Sequence, residues 1–257
     1  MKKNTAQQLL ALSENKYNSH AQEFANTWPF FWRELGYLKK YIRTNQSILD
    51  IGCGNGRLLD IIHKKGVQYT GIDSSKSLIE IAQIQRGDKG KFIHANALHL
   101  PFSNTSFDRI FSIAVLHHIP SKQFRTRFIT EAYRALKPRG TLILTVWNLW
   151  QWRFFTTHLL FLFKKILGMS NLDFGDTILK FGQLKKERFI HAFTKKEIYS
   201  LLEKNGFRIT SITQIKRRSG YANYVIVAKK QNQIHHLGVK PPSGKPQVAI
   251  EPPNSKI

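Results

Sequence analysis

Three alternating glycines that follow a short, largely apolar run are the feature of this sequence best suited to ligand chemistry. The run Ile48–Ile51 leads directly into Gly52, Gly54 and Gly56. Glycine lets the backbone turn tightly and approach a ligand without a Cβ atom in the way. A strand, a glycine loop and a helix in that order predict a site for a nucleotide-type cofactor.

Two carboxylates near the loop indicate which cofactor it suits. A dinucleotide fingerprint would place its third glycine at position 57, where this sequence has Arg57. Asp50 precedes the loop, and a carboxylate there suits an ammonium group better than a pyrophosphate. Asp73 lies at the predicted end of the second strand, where a carboxylate can accept the hydroxyls of a ribose. A helix cap is the alternative role for such a strand-end carboxylate.

A polar pair follows the third predicted strand. Asn96 and Ala97 could meet the edge of an adenine through the amide side chain and the backbone. An ordinary turn is the alternative.

Alternating strands and helices bring these residues to one edge of a sheet. Predicted strands cover Ser47–Ile51, Val67–Ile72, Lys91–Ala95, Arg109–Val115 and Thr141–Trp147, with helices from about Arg57 to Lys65, after Ser74 or Ser75, and from Lys122 to Leu136. This alternation predicts an α/β fold with a parallel sheet. Thr194 caps a last predicted helix, and Phe207–Ile215 and Tyr221–Ala228 form a predicted antiparallel pair that completes seven strands.

The chain divides by composition into five segments. They are an N-terminal helical and aromatic segment (1–46), a cofactor-binding core (47–149), a substrate-side insertion (150–193), a C-terminal helix and strand pair (194–230), and a proline-rich tail (231–257) that we expect to be disordered.

Charge indicates a polyanionic partner. The chain has 40 Lys and Arg against 16 Asp and Glu, a formal net charge of +24. Basicity of this size favours a nucleic acid or an anionic membrane. A solvated, lysine-rich surface without such a partner is the alternative.

The remaining composition predicts a cytoplasmic protein. Cys53 is the single cysteine, which excludes an intrachain disulfide and a cysteine-cluster metal site and fits a reducing compartment. We find no secretory signal and no apolar run long enough for a spanning helix.

From Ile48 to Asn148 the sequence resembles the class I S-adenosylmethionine (SAM)-dependent methyltransferases. The resemblance rests on the glycine loop, Gly71–Asp73, Asn96–Ala97, Leu100–Asp108 and Leu136–Leu142, in that order. It implies a Rossmann-like sheet of seven mostly parallel strands with an antiparallel last strand and helices on both faces. It also implies SAM as cofactor and a SAM-binding set of Asp50, Gly52, Cys53, Gly54, Gly56, Asp73, Ser74, Asn96, Ala97 and Ala114.

Within that superfamily the sequence is most similar to the tRNA methyltransferases that esterify 5-carboxymethyluridine at the wobble position. The matching segments are Ser112–His118, Val146–Gln151 and Arg188–Phe193. The family also carries a basic residue just before a Trp-Pro pair, whereas Asn26 and Thr27 precede Trp28 here. The resemblance implies tRNA as substrate and a small zinc-binding activator protein as a partner.

Four residues are predicted to hold the methyl acceptor, because they flank the carboxyl ends of the fourth and fifth strands and the insertion. They are His117, Trp147, Arg188 and His191. Each has a structural alternative: the histidine pair His117–His118 as a helix start, Trp147 as core, and the last two as a cap or phosphate contact. Adjacent histidines do not share a helix face, so no metal site is expected.

The predicted RNA contacts are basic and aromatic. The candidates are Lys185, Lys186, Lys195, Lys196, Lys216, Arg217 and Arg218 for phosphates, with Trp150 and Trp152 for base stacking. Two other functions remain open. One is methylation of a small molecule or lipid at a membrane surface, on which the aromatic segment 150–167 would lie. The other is a non-catalytic scaffold that binds SAM or RNA.

Overall fold

The computed structural model describes residues 1–63, 66–151, 154–168, 170–181, 186–216 and 222–231. Its α-helices are α1 (Lys3–Ser19), α2 (Ala21–Thr27), α3 (Leu59–Ile62), α4 (Lys76–Arg86), α5 (Lys122–Ala135), α6 (Phe155–Ile166) and α7 (Lys195–Glu203). Its strands are β1 (Ser47–Ile51), β2 (Gln68–Asp73), β3 (Lys91–His94), β4 (Phe107–Ile113), β5 (Leu136–Asn148), β6 (Asp176–Phe181), β7 (Lys186–His191), β8 (Phe207–Lys216) and β9 (Ala222–Lys230). Short 3-10 helices occupy Arg33–Tyr41 and Leu116–His118.

Seven strands form one sheet in the order β3-β2-β1-β4-β5-β9-β8. The ladders from β3 to β5 are parallel, and β9 pairs antiparallel with both β5 and β8. The predicted fold class is therefore confirmed, including the antiparallel last strand.

The centre of the sheet is buried on both faces. Along β1, Ile48 packs into one apolar cluster with Phe111, while Leu49 packs into the opposite cluster with Phe128. Successive strand residues point to opposite faces, and helices cover both faces of a parallel sheet. This packing fixes the carboxyl end of β1, where the glycine loop begins.

Two element boundaries differ from the prediction. Helix α3 covers only Leu59–Ile62 among the described residues. Strand β5 starts at Leu136 rather than after Gly140, because the segment Lys137–Gly140 forms a bulge within the strand. Arg139 accommodates the bulge with a φ of 61°.

The insertion contains regular structure that the sequence analysis left unassigned. Helix α6 precedes a two-stranded antiparallel sheet formed by β6 and β7, which pairs Asp176 with His191 at one end. Trp152, Lys185, Arg217, Arg218 and the tail from residue 232 lie outside the described residues. Among the helices that are described, none has the length and apolar content to span a bilayer.

Candidate active site

A cavity of about 760 Å³ opens at the carboxyl ends of the parallel strands. Its walls come from the glycine loop, the end of β4, helix α1 and the β6–β7 hairpin. Of the predicted site residues, Gly52, Cys53, Gly54, Asp73, Ser74, Asn96, Ala97, Ala114, Trp147 and Arg188 line it. Asp50, Gly56, His117 and His191 do not.

The glycine loop has a backbone that only glycine adopts readily. Gly52, Gly54 and Gly56 have φ values of 74°, 57° and 81°. A Cβ atom on Gly52 would lie 2.3 Å from Val115 Cγ2, so the loop and the end of β4 touch directly. Gly56 does not reach the cavity, because the Phe92 ring fills the space beside it.

Backbone N–H groups hold both carboxylate oxygens of Asp73 beside the glycine loop. Oδ2 accepts from the Gly54 N–H and Oδ1 from the Ser75 N–H, each at 2.9 Å. Burial raises the pKa of Asp73 while these N–H bonds oppose the rise. Each oxygen keeps a lone pair for a hydroxyl donor. The Ser75 hydroxyl caps α4 by accepting from the Leu78 N–H.

Asp50 lies beneath the loop rather than in the cavity. Its side chain is 2% exposed, and the Tyr69 hydroxyl donates to its Oδ2 at 2.9 Å. Burial raises the pKa of Asp50 to about 7 against the lowering effect of the Tyr69 bond. The predicted contact between Asp50 and a ligand ammonium is therefore not part of the cavity wall, because β1 turns this side chain into the core.

Asn96, which follows β3, and Ala114, which follows β4, also face the cavity. Asn96 Oδ1 accepts from the Leu98 N–H at 2.8 Å, which fixes the side chain in a turn facing the cavity. Ala114 has a φ of 61°, and its N–H donates to Thr145 Oγ1 at 2.9 Å. A non-glycine residue in this region is strained, and such strain is concentrated at functional sites.

Two adjacent histidines, with their rings tilted against each other, lie at the inner end of the cavity. The ring of His117 is fully buried and lies 4.3 Å from that of His118 and 4.8 Å from that of Trp147. His118, which lines the cavity, donates from Nδ1 to the Phe189 carbonyl at 3.1 Å. Burial lowers the pKa of His118 to about 4 and that of His117 well below its usual value. Both rings are neutral at pH 7.

Two arginines face the cavity, and one of them was missed. The Arg188 guanidinium lies 5.5 Å from the Tyr17 ring centroid. Arg57 lies over the rings of Phe24 and Trp32, at 5.4 and 5.3 Å. Its position directly after the glycine loop was the available sequence signal. The related methyltransferases carry a basic residue just before a Trp-Pro pair, and this chain has none before Trp28. Arg57 supplies a cation in that part of the cavity, over the Trp32 ring.

Helix α1 forms the outer wall. Asn18 Oδ1 accepts from the Ser75 hydroxyl at 2.8 Å and from the Ser77 N–H at 3.2 Å, which ties α1 to the start of α4. The Lys16 ammonium donates to the Glu187 carbonyl in β7. The wall therefore bridges the cofactor side and the hairpin.

His191 lies behind the wall in an ionic cluster. Its Nδ1 donates to Asp176 Oδ1 and its Nε2 to Glu197 Oε1, both at 2.7 Å. The ring is 1% exposed. Among the described residues, no group of three or more His, Cys, Asp or Glu has the arrangement of a metal site.

Comparisons with known proteins agree with this geometry. The methyltransferase domain family matches residues 49–144. A tRNA (carboxymethyluridine(34)-5-O)-methyltransferase of Arabidopsis thaliana is 34% identical over 132 residues, 51% of this chain and 31% of that protein. The chain thus spans under a third of that relative's length.

Solved structures share the fold over most of the chain. A SAM-dependent methyltransferase of Methanosarcina mazei has a TM-score of 0.66 and 27% identity, covering 79% of this chain and 99% of that one. A chain from the complex between the Haloferax volcanii Trm112 methyltransferase activator and its methyltransferase partner has a TM-score of 0.65 and 15% identity, covering 87% and 99%. At that identity the likeness concerns the fold alone.

Proposed function

We propose that this chain, whose residues 49–144 match the methyltransferase domain family, uses SAM to methylate a carboxylate on tRNA, the 5-carboxymethyl group of a wobble uridine. The observation that carries the proposal is the pair of arginines that line the cavity, Arg57 beside the Phe24 and Trp32 rings and Arg188 beside the Tyr17 ring. Two cations suit two anions, the carboxylate of the cofactor and that of the acceptor.

The residues of the loop side fit the cofactor. The backbone of Gly52 and Gly54 allows close approach, and the anchored Asp73 carboxylate can accept ribose hydroxyls. Asn96 and Ala97 line the part of the cavity beyond Asp73, as an adenine would require. Arg57 would hold the amino-acid carboxylate. SAM, when bound, supplies a methyl group on a sulfonium.

The residues of the inner side fit an acceptor that is already ionised. A general base works best with a pKa near the working pH, and the low pKa of His118 makes it a poor one. A carboxylate acceptor needs no base, since it is ionised at pH 7. Arg188 would hold this anion beside Trp147 and His118, which line the cavity, while the buried His117 packs behind Trp147, so that alignment supplies the catalysis.

The net charge of +24 supports RNA as the carrier of the acceptor. The similarity to a carboxymethyluridine methyltransferase supports the same substrate. A small zinc-binding activator and a cytoplasmic location complete the proposal; a fold relative was solved in complex with a methyltransferase activator.

The test is methyl transfer from labelled SAM to bulk tRNA, with the labelled RNA then exposed to mild alkali. Release of the label by alkali is expected, because methyl esters hydrolyse readily. Label that survives alkali would move the acceptor to a base or ribose atom. Absence of label, with SAM binding intact and an activator protein present, would overturn an RNA substrate.

One observation favours a second candidate, methylation of a lipid or quinone-like molecule at a membrane. Five apolar side chains on and after α6 are each more than half exposed: Leu159, Leu160, Phe163, Ile166 and Leu167. The segment 150–171 contains Arg153, Lys164 and Lys165 and no acidic residue. An apolar face beside lysines is typical of helices that lie on anionic bilayers. Phe163→Asp would abolish co-sedimentation with anionic vesicles if this candidate holds, whereas Leu12→Asp, on α1, would not.

A further inference from the structure

The cluster around His191 has a geometry that fixes its protonation state. The two ring nitrogens each lie 2.7 Å from a carboxylate oxygen, one of Asp176 and one of Glu197. A carboxylate accepts and does not donate when ionised, and a neutral imidazole has only one N–H. With both carboxylates ionised, only the imidazolium makes both contacts at once.

The cluster joins four elements. His191 ends β7, Asp176 begins β6 and Glu197 lies in the first turn of α7. From α5, the Arg125 guanidinium approaches the same carboxylate oxygens, at 3.7 Å from Asp176 and 3.9 Å from Glu197. Two cations thus face two anions in a buried site, where an ionised group is strongly destabilising unless an opposite charge lies beside it.

Besides this cluster, an apolar cluster anchors the described part of the hairpin, packing Ile190 of β7 and Leu179 of β6 against Leu149 and Phe154. The hairpin forms its own two-stranded sheet and does not join the ladder of the seven-stranded sheet. Its remaining ties include the His118 bond to the Phe189 carbonyl and the Lys16 bond to the Glu187 carbonyl. Arg188, three positions before His191, lines the cavity from this hairpin.

We propose that His191 is a positioning residue whose imidazolium clamps the β6–β7 hairpin to α5 and α7 and so sets Arg188 in the cavity wall. Its effect on catalysis rests on the function proposed above, whereas the clamp itself does not. Loss of one ring proton would remove a donor, leave one carboxylate uncompensated beside the ring and release that end of the hairpin.

The charged groups that face the ring support this behaviour. Burial lowers the pKa of His191, but the bonds to Asp176 and Glu197 outweigh it and raise the pKa above the usual value, against the opposing charge of Arg125. Farther out, Asp173 acts on Arg125 and pairs with the N-terminal amine. The clamp should therefore be closed below the pKa of His191 and open as the pH rises through it.

The first test uses the full chain without substrate. NMR titration of histidine-labelled protein should place the pKa of His191 above 6.5, and amides of β6 and β7 should exchange faster above that pKa once intrinsic base catalysis is corrected. His191 that titrates at or below 6.5, or hairpin exchange that does not follow its titration, would overturn the clamp whatever the enzyme methylates.

The second test separates positioning from folding. In His191→Gln, with a side chain that donates at one end only, we expect on the order of a tenfold fall in kcat/KM for tRNA and an unchanged Kd for SAM. The exposed His99 gives the matched control, His99→Gln, which should alter neither. Should His191→Gln not fold, the wild-type titration still decides. Unchanged kcat/KM and pH profile in a folded variant would contradict the positioning role.

Discussion

Three histidines near one cavity differ in charge because their partners differ. The ring of His117 makes tilted contacts with those of His118 and Trp147, and desolvation without a carboxylate partner favours the neutral forms of both histidines. His191 lies between two carboxylates, which favour the charged form. The chemistry expected of each ring follows from its neighbours rather than from its being a histidine.

Asp50 should make the stability of the protein without cofactor fall as the pH rises. Its folded pKa of about 7 exceeds that of an unfolded aspartate, so between about pH 4 and 7 the folded state binds more protons. Asp50→Asn keeps an oxygen acceptor for Tyr69 but cannot ionise. At pH 8 the free energy of unfolding of the variant should therefore exceed that of the wild type, by at most roughly 4 kcal/mol. This difference should become smaller towards pH 5.

Chemical denaturation at both pH values measures this difference. Asp88→Asn, at an exposed position, serves as the control. An equal effect of Asp50→Asn at pH 5 and pH 8 would show that Asp50 does not titrate between them.

The two cavity arginines should separate cofactor binding from acceptor binding. Arg57→Gln removes the cation next to the glycine loop and should weaken SAM binding by about tenfold, the effect of losing a charged hydrogen bond. Arg188→Gln should leave the Kd for SAM unchanged and lower kcat/KM for tRNA by a similar or larger factor. Calorimetry with SAM and steady-state kinetics with tRNA give the two readouts, and equal effects of both variants on SAM binding would refute the division.

Residue types and spacing predicted most of the cofactor side but less of the acceptor side. Asp73, Asn96 and the loop follow strands, so their positions could be read from local sequence. Arg57, Tyr17 and the partners of His191 come together only through long-range packing, which a single sequence does not display. That Asp50 lies outside the cavity lining was not predictable, because strand periodicity alone does not say which side chains of β1 the cavity reaches.

At the scale of elements, the sheet was predictable because buried parallel strands are short apolar runs between helices. The bulge at Lys137–Gly140 was not, since a Pro-Arg-Gly sequence equally predicts a turn. The β6–β7 hairpin was missed because its strands lie amid lysines and aromatics without a clear alternation. Its backbone pairing from Asp176 to Phe181 identifies it in the structure.

The bond between α1 and α4 should control access to the cavity. Asn18→Ala removes the acceptor for the Ser75 hydroxyl and the Ser77 N–H, a loss of about 1–2 kcal/mol. We expect faster hydrogen exchange in α1 and a severalfold weaker Kd for SAM. Asn26→Ala in α2, whose Oδ1 accepts only from the exposed Gln22 among its described bonds, is the control and should change neither. Unaltered exchange in α1 of the Asn18 variant would show that other contacts hold the wall.

For the whole molecule, charge dominates the expected binding behaviour. Residues 150–230 carry 16 basic and 5 acidic residues, so the excess is densest around the insertion and the C-terminal strands. Binding to tRNA should release counterions, and its affinity should fall on the order of 10³-fold between 50 and 200 mM salt if about six phosphates are neutralised. Filter binding at several salt concentrations measures the slope, and a flat profile would exclude a phosphate-based interface.

The way the insertion joins the sheet has a consequence for how such enzymes diversify. The chain leaves β5 at Asn148, makes α6 and the hairpin, and returns at α7, while β5 and β9 remain paired from Thr141 to Asn148 without a break. The insertion is thus a cassette with both ends at one rim of the sheet. If it holds the acceptor, as proposed, replacing residues 150–193 should change the specificity of the enzyme without altering the order of strands in its core, provided that the new cassette brings its own partner for Arg125 and Glu197.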